Sequence, residues 1–273
     1  MGAFRDFKKI IRQQEKEIQS FYQIACDFMQ QQRFTDAETY LYKIKTIKSN
    51  DPVWMYGLGN VYRMQAQHTL AYHWYMQAAE LNHAPSFYHL GLIEFKRHNY
   101  TLAEHYLKSA VMHGHTEAYI TLGQIFLNQY HLNAAIYYFT QAKAYQHLDA
   151  YLPLAQAYSL QKRYDVAHEL LATAYQLNIA DTAHYLGNVY CQQRALKQAK
   201  DWYAYSFQTE FNLSSLEQLG QILCTEQQII LGEKIIQLAH LLDEETVLTD
   251  EQHALLGSIT GDETQLYAHF KLR

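Results

Sequence analysis

A small residue recurs every 32 positions through the middle of this chain, at Gly59, Gly91, Gly123, Ala155 and Gly187. Each is followed twelve positions later by another, Ala71, Ala103, Ala135, Ala167 or Ala199, and the pairing extends outward to Ala25/Ala37 and Gly220/Gly232 at slightly longer repeat lengths. Seven copies of one short two-element unit cannot each bury an apolar face alone. They must stack on one another, and a solenoid is the architecture that results. The function of such an array resides in its surface.

Residues 52–83 serve as the reference unit. Leu58, Gly59 and Tyr62 form one helical stripe, Gln65–His68 a polar break, and Ala71, Tyr75 and Ala78 a second stripe. Apolar spacings of three and four are the amphipathic-helix signature, so each unit reads as helix, tight turn and antiparallel helix. Gly or Ala sits where the two helices cross closely, because a larger side chain would push them apart. Before each small residue stands Ile24 or a leucine (Leu58, Leu90, Leu122, Leu154, Leu186, Leu219). Sixteen positions after it stands Leu41, Tyr75, Leu107, Phe139, Leu171, Tyr203 or Ile236. Asn82, Gly114 and Asn178 fall where a left-handed residue would end the second helix. Asp149 and Asp181 are read as N-caps, and Pro52 and Pro85 as residues of a first helical turn. Pro153 lies deeper and is expected to delay or bend its helix.

Composition narrows the function classes. Hydrophobic residues make up 49% of 273, ample for a packed core, and the formal net charge of -5 argues against a nucleic-acid binder. Charge is polarised: residues 1–50 carry 9 Lys/Arg against 6 Asp/Glu, and 201–273 carry 3 against 12. That polarity leaves end-to-end self-association open beside the plainer reading of solvated faces. Cys26, Cys191 and Cys224 have no metal-like spacing and suit a reduced, cytoplasmic chain. The N-terminus lacks the apolar segment of a secretory signal, and no run is long enough for a membrane span. Residues 4–32 read as one long helix, with Phe4, Phe7, Ile11 and Ile18 on one line. The expected divisions are an N-terminal helical extension or cap at 1–18, the array at 19–245, and a degenerate C-terminal helical cap at 246–273. In the last, Leu256-Gly257 begins a final helix pair ending at Arg273.

Leu58-Gly59, Tyr62, Ala71, Tyr75 and Ala78 resemble the tetratricopeptide repeat motif. The turns AAELNHAPSFYHLG (78–91) and GHTEAYITLG (114–123) resemble its Sel1-like branch. The resemblance covers roughly residues 19–245. The unit is two residues shorter than the standard tetratricopeptide unit, and its internal loop lacks the extra residues usual in Sel1-like repeats. The resemblance implies an all-α solenoid, a right-handed superhelix whose first helices line a concave groove that binds a peptide or another protein.

On that expectation, the residue following the small one faces the groove: Cys26, Asn60, Leu92, Gln124, Gln156, Asn188 and Gln221. Carboxamides predominate, and each offers a donor and an acceptor to an extended peptide whatever its sequence. The resemblance places the family's peptide-gripping Asn at Asn60 and Asn188. Four residues earlier the series is Tyr22, Tyr56, Tyr88, Ile120, Leu152 and His184, with aromatic anchors in the N-terminal half. The competing reading is that these rings pack between repeats. Arg63 and Lys96 are placed to meet an acidic group, but Tyr stands where a chaperone-tail clamp needs Lys, so that ligand is not expected. Glu94 interrupts the aromatic series Phe28, Tyr62, Phe126, Tyr158 and Tyr190. An unpaired buried carboxylate is costly, so Phe95 is expected to turn inward in its place, the alternative being a partner for Glu94.

No phosphate loop, HExxH or CxxC occurs, and the fifteen histidines are scattered over surfaces and turns. No cofactor, metal or catalytic residue is called for. The expected function is a non-enzymatic scaffold or adaptor that binds a peptide or partner segment in its groove. A ligand-responsive, peptide-sensing regulator is the alternative.

Overall fold

The computed structural model describes residues 2–244 and 248–260, and among them every element is a helix. The chain divides into two compact units, residues 1–129 and 130–273. The first contains α1 (Gly2–Gln30), α2 (Phe34–Ile47), α3 (Pro52–Met64), α4 (His68–Ala79), α5 (Ala84–Lys96), α6 (Tyr100–Met112) and α7 (Ala118–Asn128). The second contains α8 (Leu132–Ala144), α9 (Tyr151–Leu160), α10 (Tyr164–Gln176), α11 (Thr182–Gln192), α12 (Leu196–Glu210), α13 (Leu213–Thr225), α14 (Ile229–Asp243) and α15 (Asp250–Thr260). The fold is an all-α solenoid of helix pairs. In the first unit α1 packs on α2, α3 on α4 and α5 on α6, each pair leaning on the next, while α1 also touches α3 and α5 touches α7. The second repeats the scheme with α9–α10, α11–α12 and α13–α14, and α15 covers α12 and α14.

The steric role of the small residues is visible atom by atom. A Cβ added at Gly59 would lie 2.5 Å from the Tyr75 ring, and one at Gly187 2.5 Å from the Tyr203 ring. At Gly91 it would lie 2.6 Å from Leu107 Cγ. What glycine clears at these crossings is therefore the side chain sixteen positions on. At Gly220 and Gly232 the backbones themselves come that close. The leucine column and the residues sixteen and nineteen positions on are buried almost throughout, each aliphatic member contributing about 1.5–3 kcal/mol.

The turns between pairs end as expected, with Asn82, Gly114 and Asn178 at positive φ. The turns inside the pairs do the same at residues that carry no such signal. Gln32, Ala66, His98, Tyr130, Lys162, Arg194 and Gln227, each seven past the small residue, have φ between 57° and 69°. The next amide closes the motif by donating five residues back, as from Gln67 to the Tyr62 carbonyl (2.8 Å) and from Asn99 to that of Glu94 (2.9 Å). Side chains of the same residue pair also meet: Arg33 lies over Phe28 at 4.5 Å and Arg163 over Tyr158 at 4.7 Å. This pairing explains Glu94. It is only 4% exposed, yet it accepts from Arg97 Nη1 (2.9 Å) and Asn99 Nδ2 (3.1 Å). Phe95 does not replace it and packs instead near Tyr100. A polar pair stands where these other repeats carry an aromatic ring and a cation.

Two expected caps are corrected. Asp149 lies inside a 3-10 turn, Leu148–Ala150, and caps nothing. Asp181 precedes α11 with φ of 62° but accepts from Asn212 Nδ2 (2.6 Å) rather than from an α11 amide. Side-chain caps come from Asp51, which accepts from the Val53 amide, and Asn212, which accepts from that of Ser215. Pro52 and Pro85 open their helices, and Pro153 follows a 3-10 lead-in to a short α9. The long first helix ends at Gln30, with residues 7–17 exposed and Ile18 the first buried side chain among the described residues. The Phe4 side chain and the end of the expected final pair, 261–273, lie outside the described residues. Leu256-Gly257 falls within α15.

Candidate functional site

In the first unit the predicted residues converge on Asn60. Its Oδ1 accepts from the Tyr75 hydroxyl (2.7 Å), and its side chain weakly favours ionisation of the Tyr22 and Tyr56 hydroxyls against the larger effect of their burial. The Tyr22 and Tyr56 rings are neighbours at 6.5 Å. The line does not pass directly to Tyr88. The Tyr56 hydroxyl is hydrogen-bonded to His89 Nε2 (3.2 Å), and the His89 ring stacks on Tyr75 at 5.0 Å. Tyr88 rests against His89 and against His115, 4.5 Å away. Burial raises the Tyr22 and Tyr75 hydroxyls far above the ordinary phenol range, opposed at Tyr75 by the Arg63 guanidinium. Burial likewise depresses His83 and His89, each to about 4. The floor is aromatic, hydroxyl-rich and neutral, and exposed Arg63 stands at its edge. Lys96 is exposed on α5, and Gln124 spends its amide on Asn128 within α7 (3.0 Å).

The second unit repeats the central device. The Tyr203 hydroxyl donates to Asn188 Oδ1 (2.7 Å). Beside it opens a recess of about 310 Å³, lined by Gln156, Ser159, Asn188, Gln192, Tyr203 and Gln218 among others. Ser159 Oγ donates to Gln192 Oε1 (2.6 Å). Both of these amide oxygens thus have a hydroxyl donor, which leaves the NH₂ ends as the groups available to a ligand. His184 is held out of the recess: its Nδ1 pairs with Ser215 Oγ (2.8 Å), its ring lies beside Tyr203, and burial lowers its pKa. Gln221 is exposed and donates to Glu217 on its own helix.

Solved structures share this architecture. A tetratricopeptide repeat protein from Parabacteroides merdae matches with a TM-score of 0.65 at 14% identity, over 90% of this chain and 100% of that one. A Sel1 repeat protein from Oxalobacter formigenes matches with 0.56 at 20% identity, over 74% and 89%. The fold is that of the tetratricopeptide and Sel1-like repeats. PilF of Pseudomonas aeruginosa has it too, with a TM-score of 0.59 at 15% identity, over 71% of this chain and 92% of that one. No family model and no curated protein matches the sequence.

Within this fold, Tyr75, Tyr203, His89, Ser159, Gln192 and Gln218 belong to the candidate sites and were not singled out from sequence for that role. A signal for two of them was present. Leu-Gly-Asn-Val-Tyr recurs at 58–62 and 186–190, and the residue sixteen past the glycine is Tyr in those two repeats alone. Asn and Tyr occur together because each satisfies the other.

Proposed function

We propose that this solenoid is a non-enzymatic adaptor that binds an extended segment of another protein along its first helices. The observation that carries the reading is the Tyr203–Asn188 and Ser159–Gln192 wiring around a neutral recess. Backbone carbonyls of an extended chain are what amide NH₂ groups held in this orientation suit, and they are present in every sequence. Tyr22 and Tyr56, gathered around Asn60, supply amphipathic anchors of the kind that dominate interface energetics. Among the described residues no charged side chain lines the recess, so the segment lying there is uncharged. Several shallow contacts summed along the helices give micromolar affinity, about -8 kcal/mol.

The test begins with selection of binders from a displayed library of extended peptides, followed by calorimetric titration of a selected peptide. Asn60→Ala/Asn188→Ala is expected to weaken binding by about tenfold or more. Tyr75→Phe/Tyr203→Phe retains the amides but frees their orientation, and is expected to give a smaller loss. Circular dichroism shows whether each variant remains folded. Unchanged affinity in a folded double-Asn variant would sink the proposal.

A further inference from the structure

We propose that the first half of α1 is a docking surface for an anionic lipid membrane. Residues 7–17 are exposed throughout, so about 16 Å of helix, at 1.5 Å per residue, projects past the side chains that anchor α1. The projection is strongly two-faced. Phe7, Ile10 and Ile11 share the side that lower down buries Ile18, and they are 59%, 57% and 36% exposed. Arg5, Lys9, Arg12 and Lys16 fall together on the opposite side, with Lys8 at the flank. Over residues 5–16 five Lys/Arg stand against two Asp/Glu, in a chain whose formal net charge is -5.

Three occupants compete for such a face. A second copy would bring only three large apolar side chains to the contact. That is a few hundred Å², against the roughly 1,200 Å² of a stable interface. Gln14 also interrupts the apolar line between Ile11 and Ile18, so the seam cannot continue as a coiled coil. A groove in another protein would be selected by the apolar side and would leave the cationic side without a role. A lipid surface uses both faces at once: Phe7, Ile10 and Ile11 enter the boundary between headgroups and acyl chains while the cations meet the negative surface potential. A helix that is polar over most of its circumference, with a narrow apolar side, has the character of an interfacial element rather than a spanning one. No described helix is long and apolar enough to cross a membrane, so the mode is peripheral.

The full chain should be co-sedimented with vesicles of phosphatidylcholine alone and of phosphatidylcholine mixed equally with phosphatidylglycerol. Wild type is expected to bind the mixed vesicles at least about tenfold more tightly, each cation near the surface contributing about fivefold. Lys9→Glu/Arg12→Glu is expected to abolish that preference, and Phe7→Ser/Ile11→Ser to lower binding to the mixed vesicles by about tenfold or more. All four positions lie beyond the packed body, so these variants keep the fold, which circular dichroism checks. Equal partitioning of wild type to both vesicle types overturns the proposal. So does a concentration-dependent dimer in sedimentation equilibrium that Phe7→Ser/Ile11→Ser dissolves. Capture of a protein whose binding survives excess phosphatidylglycerol vesicles, but is lost with the same two apolar substitutions, overturns it as well.

Discussion

Gly59→Ala adds one methyl group at the most crowded point of the α3–α4 crossing. The new Cβ would sit 2.5 and 2.6 Å from two atoms of the Tyr75 ring, which is fully buried and cannot swing into solvent. Overpacking of this kind costs about 2 kcal/mol. Displacing the ring also stretches the 2.7 Å bond from the Tyr75 hydroxyl to Asn60, worth about 1 kcal/mol more. Replacing Gly by Ala within a helix returns about 1 kcal/mol, leaving a net loss near 2 kcal/mol. Tyr75→Leu alone loses the hydrogen bond and opens a space, for about 2–3 kcal/mol. The double variant is expected to cost only about 2 kcal/mol, a favourable coupling of roughly 2–3 kcal/mol between neighbours in contact. The expectation has internal precedent: Ala25 with Leu41 and Ala155 with Leu171 carry the same combination, and all four are buried. Repeat arrays need not unfold in one step, so hydrogen exchange of the α3 and α4 amides is the suitable readout. If the two single losses add to the double within about 0.5 kcal/mol, the crossing is not governed by this pair.

Ala66→Gly is expected to raise stability by about 0.5–1 kcal/mol, since Ala66 holds φ at 59° without the freedom glycine has there; a lowered midpoint in urea would refute it. Glu94→Ala should destabilise the first unit by about 1 kcal/mol through loss of its hydrogen bonds, since Arg97 and Asn99 are exposed and turn to water, whereas Glu94→Tyr with Asn99→Arg, the pairing of Tyr158 and Arg163, should recover most of the loss in thermal melts. Stability is also expected to fall as pH drops from about 6.5 towards 4. His83 and His89 take up a proton in the unfolded chain near 6.5 but in the folded one only near 4, so acidification favours unfolding by roughly 1 kcal/mol per pH unit for each. His89→Gln should flatten that slope in pH-dependent denaturation, and an unchanged slope would remove His89 from the explanation.

The pairing of helices, their approximate ends and the buried columns were legible because they follow from repetition. One unit unable to bury its face, copied seven times, admits few solutions, and apolar spacing of three and four names the element. Asn60 and Asn188 were picked out by position, since the resemblance assigns that register to the ligand-facing side, and their role there is a proposal. Tertiary contact alone decided what those amides can offer. The hydroxyls of Tyr75 and Tyr203 arrive from a second helix, fifteen residues away in sequence, and occupy the amide oxygens. The same holds for Glu94, whose burial seemed prohibitive until Arg97 and Asn99 closed around it. The left-handed turns were hidden for a different reason. Gln32, Ala66 and Lys162 have no intrinsic preference for positive φ, and the hydrogen bonds of two packed helices impose it on them. Periodicity reports which surfaces must be buried, whereas hydrogen-bond partners and strained dihedrals depend on which atoms meet once they are.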